Sequence, residues 1–355
     1  MIDHIVAFAL LVGPGPRQAS ASCVAALDSM VAVLRRDYPG FRDGVVGHEA
    51  AFAALIDSVR AVARTSDDYT VCIGQGLKRV THFFRDGHLQ VWQGAAPTEP
   101  VAGPSPGPTS IPADDPDRPS LRFVDDSTAV LRLPDFTETY KPLIDSLIAT
   151  NLVALTAKPF LIVDVRGNGG GYTGSYRRVS DLLYTNPIHF DGVDVWASEA
   201  NVAFYRSFLT VSEISEDDKA LFRTLIPRME SHLGQFVEES PDTVERRDTI
   251  YPMPRRVAVL VDHHCASTCE DFVFEARQSR KVTVLGSENT NGVYDYGNVR
   301  SLWLPGWRRM RVPTSRGRGE RIDLVGFAPA VRIPASEPDA VEFARRYLRG
   351  RAAGR

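Results

Sequence analysis

Beyond its opening residues the chain has no apolar run of the roughly twenty residues that a membrane-spanning helix needs. Stable insertion into a bilayer is therefore not expected. An excess of charge of one sign is missing too. The 41 basic residues stand against 44 acidic ones, for a net charge of -3, so no nucleic-acid partner is expected. Cysteine is scarce: Cys23, Cys72, Cys265 and Cys269 are the whole set, too sparse for a disulfide scaffold. No segment repeats at a fixed period, which sets aside solenoids and propellers.

What is present is ordinary globular material. Apolar residues make up 43% and charged residues 24% of 355 positions, which suits one large or two modest domains. Residues 5–12, IVAFALLV, form a short apolar run, and small residues follow at Ala19-Ser20-Ala21-Ser22. This reads as a secretory leader over residues 1–21, with cleavage after Ala21, although Asp3 and His4 stand where cations are usual. The expected location is periplasmic or secreted, or cytoplasmic if the segment is not cleaved. The other reading of the run is a first strand or helix.

Residues 22–93 read as a small helical N-terminal domain. Apolar positions at helical spacing predict helices over 23–37, 50–63 and 67–84. Asp86-Gly87-His88 then turns into an alternating strand, with His88 at its mouth. Residues 94–120 hold a density of proline that neither a helix nor a central strand tolerates, so they read as a linker. Residues 121–340 alternate strands and helices and read as an α/β core. Residues 198–239 interrupt that alternation and read as a helical insertion, either a lid or an outer layer. Residues 341–355 read as a basic tail.

The chemistry-bearing stretch is 255–274, RRVAVLVDHHCASTCEDFVF. Residues 257–261 form an unbroken valine-rich run, as a buried parallel strand does. A turn follows, and a helix begins near Ser267. Ser267-Thr268-Cys269-Glu270 fits the S-x-x-E helix-start box. A serine at such a junction is either an N-cap only or an exposed nucleophile beside a helix N-terminus that stabilises negative charge. A second buried strand, 159–166, runs into Gly167-Asn168-Gly169-Gly170-Gly171. Glycines there let backbone N–H groups approach an oxygen closely. No Gly-Lys-Ser/Thr follows, so a phosphate loop is disfavoured.

The two segments together resemble the S41 peptidases, the family of tail-specific and tricorn proteases. Asp164-Val165-Arg166-Gly167-Asn168-Gly169-Gly170-Gly171 is similar to that family's oxyanion segment, D-x-R-G-N-G-G-G. Ser267-Thr268-Cys269-Glu270 is similar to its S-A-S-E nucleophile segment. Gly326-Phe327-Ala328-Pro329 resembles its closing G-x-x-P. The resemblance spans residues 25–335 and implies a ClpP/crotonase-like β-α core. It also implies a serine peptidase that needs no cofactor and acts on a peptide or protein substrate. The space between the N-terminal part and the core is too short for the PDZ domain of the tail-specific branch.

That branch uses a lysine base in a G-K turn. Here the turn is Asn291-Gly292-Val293, and valine stands in the lysine's place. The nearest lysine, Lys281, starts a strand. The tricorn-like branch uses histidine and a late acidic residue. His88 in Asp86-Gly87-His88-Leu89 resembles the family's D-G-H-T, and Asp323 lies near the place of its acid, with Glu320 the alternative. The resemblance thus implies Ser267 as nucleophile, His88 as base and Asp323 as orienting acid. Amides of Gly169 or Gly170 and of Thr268 would form the oxyanion hole. His82, His263 and His264 are rival bases.

Two other classes stay open at this stage: a non-catalytic binding protein on the same fold, and a metal-dependent hydrolase using His263, His264, Cys265 and Cys269. Adjacent histidines diverge from an extended strand, which weakens the metal site. In a regular helix Cys265 and Cys269 would sit farther apart than a disulfide prefers; Cys265 lies before the helix, so a bridge there is possible but not favoured. A Cys23–Cys72 bridge is equally open.

Overall fold

The computed structural model describes residues 22–94, 111, 115, 117–211 and 214–350. The expected leader and most of the proline-rich stretch lie outside the described residues. No helix among the described residues is long and apolar enough to cross a membrane.

The core is α/β, as expected. A six-stranded sheet runs in the order Val331–Arg332, Val282–Gly286, Arg256–Val261, Phe160–Asp164, Thr128–Arg132, Ser120–Phe123. All neighbours are parallel except the outermost pair, which is antiparallel. Phe160–Asp164 is buried along its whole length, because strands covered on both faces must be apolar at every position. Alternate side chains serve different layers. Leu161, Val163, Val257, Val259 and Val261 pack with Phe272 and Val273 of the helix Thr268–Ala276. Ile162, Ala258 and Leu260 face the opposite side, against Ala344 and Leu348.

Those last two residues belong to the segment read as a basic tail. It is instead a helix, Ala340–Gly350, seated on the sheet. Its arginines lie on the outer face, where Arg345 and Arg349 both reach Asp125. The charge count masked an amphipathic helix.

The N-terminal segment forms helices Cys23–Asp37 and Glu49–Ala63, with the short helix Gly40–Val45 between them. The third expected helix winds as a π-helix over Thr70–Leu77 and then as an α-helix over Lys78–Phe83. A disulfide joins Cys23 to Cys72. The segment does not close its own core. Leu27, Leu34, Ile73 and Leu89 share one cluster with Leu304, Met310 and Val312. The strand Gln90–Gln93 pairs antiparallel with Arg308–Val312, which pairs with Arg300–Leu304. The chain after His88 is thus stitched to a hairpin two hundred and more residues later, from the far end of the sequence.

The insertion contains helices Glu199–Phe208 and Glu216–Ser231, followed by the strand Phe236–Ser240. Phe204, Tyr205, Phe208 and Phe222 give it an aromatic core of its own. Among the described residues, neither helix lines the cavity at Ser267, so it is an outer layer and not a lid.

The Cys23–Cys72 bridge closes a span of 49 residues. Replacing both cysteines by serine should lower the free energy of unfolding by about 2–4 kcal/mol. Urea denaturation of wild type and double mutant measures this; equal midpoints would contradict a formed bridge.

Candidate active site

The strands Phe160–Asp164 and Arg256–Val261 are neighbours with the same direction. Their carboxyl ends open side by side, where ligand sites of parallel sheets are built. One end delivers the glycine loop, the other Ser267.

The glycine loop is tied down by Asn168. Its side-chain N–H donates to the Leu133 carbonyl at 2.9 Å, and its Oδ1 accepts the Gly170 N–H at 2.8 Å. Gly170 has φ +99°, and a Cβ there would lie 2.7 Å from the Ala266 oxygen and 3.0 Å from Ser267 Cβ. Gly171 has φ +140°, and a Cβ would collide with the Phe136–Thr137 backbone. Glycine is required at both, at Gly170 because the loop lies directly on the serine turn and at Gly171 because it lies on the Phe136–Thr137 backbone. A Cβ on Gly169 meets nothing.

Ser267 has φ +57° and ψ -124°, a conformation that non-glycine residues avoid and that marks sharp strand-to-helix turns bearing a nucleophile. Its N–H lies 3.1 Å from the Val293 carbonyl and 3.2 Å from Glu270 Oε2. Glu270 is fully buried. Its carboxylate also accepts from the Thr290 hydroxyl at 2.5 Å and from the Gly292 and Val293 amides at 2.8 Å each. Burial pushes this carboxyl upward, and the four donors pull it back. Glu270 therefore clamps the serine turn to the 290–293 loop.

The Ser267 side chain reaches His88: Oγ and Nε2 are 3.0 Å apart. His88 is held by its backbone N–H, which donates to Asp86 Oδ1 at 2.8 Å, while the Tyr38 hydroxyl donates to Asp86 Oδ2. Its other ring nitrogen, Nδ1, lies 2.5 Å from the Tyr296 carbonyl oxygen. A carbonyl only accepts, so this pattern assigns the ring proton to Nδ1 and leaves Nε2 as the acceptor facing Ser267. Burial brings the His88 pKa down to about 4, partly offset by the Tyr296 bond.

Asp323 stands one link behind. Its Oδ1 accepts from the Tyr294 and Asp295 amides at 2.7 and 2.8 Å. Its Oδ2 is buried without a hydrogen-bond partner among the described residues. Burial, with Asp86 and Asp295 nearby, pushes this carboxyl up to about 8. The acceptor at His88 Nδ1 is thus a backbone oxygen from the segment that Asp323 grips. Glu320 is elsewhere, paired at the surface with Arg277. Sequence reading missed the Tyr296 carbonyl, because a backbone acceptor leaves no residue signature. It also missed the clamp of Glu270, although the S-x-x-E box pointed to that residue.

The remaining candidates separate. The Gly170 N–H is already given to Asn168, whereas the Gly169 and Thr268 amides donate to no acceptor among the described residues. Cys265 and Cys269 form a disulfide with Cα atoms 5.3 Å apart, contrary to expectation. Cys265 lies in the turn before the helix, and the left-handed step at Ser267 folds it back, so helical spacing does not apply. Bridged sulfurs are not thiolate ligands. His82, His263 and His264 are exposed. Among the described residues no cluster of His, Cys, Asp and Glu could hold a metal ion. Lys281 precedes Val282–Gly286, at the opposite end of the sheet, about 15 Å from the site by strand rise. Its amine donates to the Tyr251 carbonyl.

Two outcomes are expected. Gly170→Ala should disturb the Ser267 turn and reduce reaction with an active-site serine probe at least tenfold, while Gly169→Ala should fold with little change in thermal midpoint; the opposite ranking would contradict this packing. Separately, burial pushes Asp86 up to about 7 and Asp271, Asp323 and Glu239 each up to about 8. A carboxyl raised on folding adds stability that is present at low pH and lost as pH rises through its folded pKa. Above about pH 6.5 the opposing demand of His88, whose folded pKa lies below the ordinary value, has ended. The thermal midpoint should therefore fall between about pH 6.5 and 8, as a calorimetric series would record; a rise over that interval would contradict it.

The model for peptidase family S41 matches residues 127–321. No curated protein matches the chain. Among solved structures, mature CPAF superposes with a TM-score of 0.61 at 12% identity, covering 92% of this chain and 96% of that one. The complex of mature CPAF with lactacystin gives 0.60 at 12% identity, covering 92% and 97%. A lipoprotein from Streptococcus agalactiae gives 0.52 at 13% identity, covering 95% and 100%. At these identities the structures speak for the fold, and the family match, over more than half of the chain, speaks for descent: the chain belongs to peptidase family S41.

Proposed function

We propose that the protein is a serine peptidase in which Ser267 is the nucleophile and His88 the general base. The observation that carries this reading is the 3.0 Å approach of Ser267 Oγ to His88 Nε2, at a serine held with positive φ. A serine hydroxyl is a poor nucleophile without such a base. In the first step Oγ attacks the scissile carbonyl and Nε2 takes its proton. The Gly169 and Thr268 amides donate to the oxygen that becomes negative. Collapse breaks the C–N bond, and His88 returns the proton to the departing amine. Water then attacks the acyl-enzyme, again giving its proton to Nε2, and the carboxylic acid leaves as Ser267 regains its hydrogen.

Asp323 enters as a positioning residue: it holds the Tyr294–Asp295 backbone so that the Tyr296 carbonyl fixes the imidazole. Two disulfides support a site of action outside the reducing cytoplasm, in line with the expected leader. The binding-protein reading is not favoured, since family membership supports peptidase function. The metal-hydrolase reading is not favoured because its two cysteines are bridged.

A fluorophosphonate probe and a pH–rate profile test the assignment. Ser267→Ala should remove labelling and turnover while the protein stays folded. His88→Ala should lower turnover by about a hundredfold or more, and Lys281→Ala and His82→Ala should leave most of it. With the imidazole neutral above its depressed pKa of about 4, kcat/KM should rise with pH through that value and be flat between pH 6 and 7. Persistent turnover in Ser267→Ala, or full turnover in His88→Ala, would overturn the proposed pair.

A further inference from the structure

A cavity of about 60 Å³ opens directly on Ser267 and His88 and continues between Asp191, Asp271, Val293 and Tyr294. By volume it admits a few water-sized groups in a row, the room an unbranched side chain needs. Asp271 is fixed relative to the nucleophile by the helix itself: its N–H donates to the Ser267 carbonyl at 3.1 Å. The Ser267 backbone itself is not helical, yet both side chains line this one cavity. Val293 and Tyr294 supply apolar wall between them.

The carboxylates in this cavity lack counter-charges. Among the described residues, neither the Asp271 nor the Asp191 carboxyl has a hydrogen-bond or ion-pair partner. The charged groups acting on Asp271 are both acidic, Glu270 and Glu275. Nearby cations are already taken: Arg277 pairs with Glu320, and Arg318 with Asp194 and Glu238. Asp271 is half-buried and Asp191 is exposed at the mouth, where its carboxyl lies over Gly319. Burial beside two other acids pushes the Asp271 carboxyl up to about 8, and an entering cation would relieve that.

Resting on the serine-peptidase reading, we infer that this cavity is the specificity pocket for a cationic side chain, lysine or arginine, on the residue adjoining the scissile bond. The aliphatic stem lies along Val293 and Tyr294, and the charged tip meets Asp271, with Asp191 guarding the entrance.

The test compares fluorogenic peptides that differ at one position: lysine against its neutral isostere norleucine, and arginine against citrulline. One series places the residue on the acyl side of the scissile bond, the other on the amine side. In wild type the cationic member should have the higher kcat/KM by about tenfold or more in one of the series, as for a charge-assisted hydrogen bond. Asp271→Asn should bring that ratio toward unity, and Asp191→Asn, at an exposed position that folding does not depend on, should lower it partway. Equal or better use of the neutral members by wild type would overturn the inference, as would an unchanged ratio in Asp271→Asn. Binding of benzamidinium against benzamide, followed by saturation-transfer NMR on the intact protein, separates the two proposals. If no peptide is cleaved yet benzamidinium binds wild type and not Asp271→Asn, the peptidase reading falls and the cation pocket stands. If benzamidinium binds no better than benzamide, the pocket falls whatever the turnover.

Discussion

Ser267 sits in a backbone conformation that costs on the order of 1–3 kcal/mol, and much of the surrounding structure serves to keep it there. The Glu270 carboxylate and the Val293 carbonyl hold its N–H. The Cys265–Cys269 bridge spans it from both sides. Gly170 presses against its Cβ from the neighbouring strand's loop, at a distance only glycine permits. The consequence is directional: a capping serine usually has extended backbone, whereas the observed turn makes no side-chain cap bond and brings the hydroxyl to His88. Glu270 keeps its part of the box, and the serine side chain is released for other use.

The second constraint is that His88 comes from a different core. The serine and glycine loops belong to the six-stranded sheet, while His88 is followed by Leu89, part of a cluster that the N-terminal helices share with the hairpin Arg300–Leu304 and Arg308–Val312. The seam between them is crossed by the 290–296 segment, which touches the serine turn, Asp323 and His88. Val293 binds the serine turn, Tyr294 and Asp295 bind Asp323, and the Tyr296 carbonyl meets the imidazole. Burial of Asp86, Asp295 and Asp323 behind this segment raises all three carboxyls. The His88 imidazole is kept neutral chiefly by its own burial.

Much of this was legible in the chain. Valine-rich runs gave the buried strands because a strand covered on both faces has no room for polar side chains. The glycine cluster and the S-x-x-E box marked the two loops, since each needs particular residues at fixed spacing. Elsewhere local pattern misled. The 341–350 segment looked like a tail because its arginines outnumber the few apolar residues that seat it. A Cys265–Cys269 bridge looked possible but not favoured, because helical spacing weighs against it and the sequence does not show how the turn before the helix folds back.

By itself, then, the sequence determined the strands, the loop chemistry and the absence of a lysine at Val293, all of which depend on residue type within a short window. Tertiary structure decided which groups meet. It placed His88 against Ser267 across 179 positions, gave the imidazole a backbone carbonyl in place of a carboxylate, and turned Asp271 into the cavity beside Ser267. These are distances between segments remote in sequence, and they are fixed by the register of strands and the packing of two cores, which no local pattern encodes.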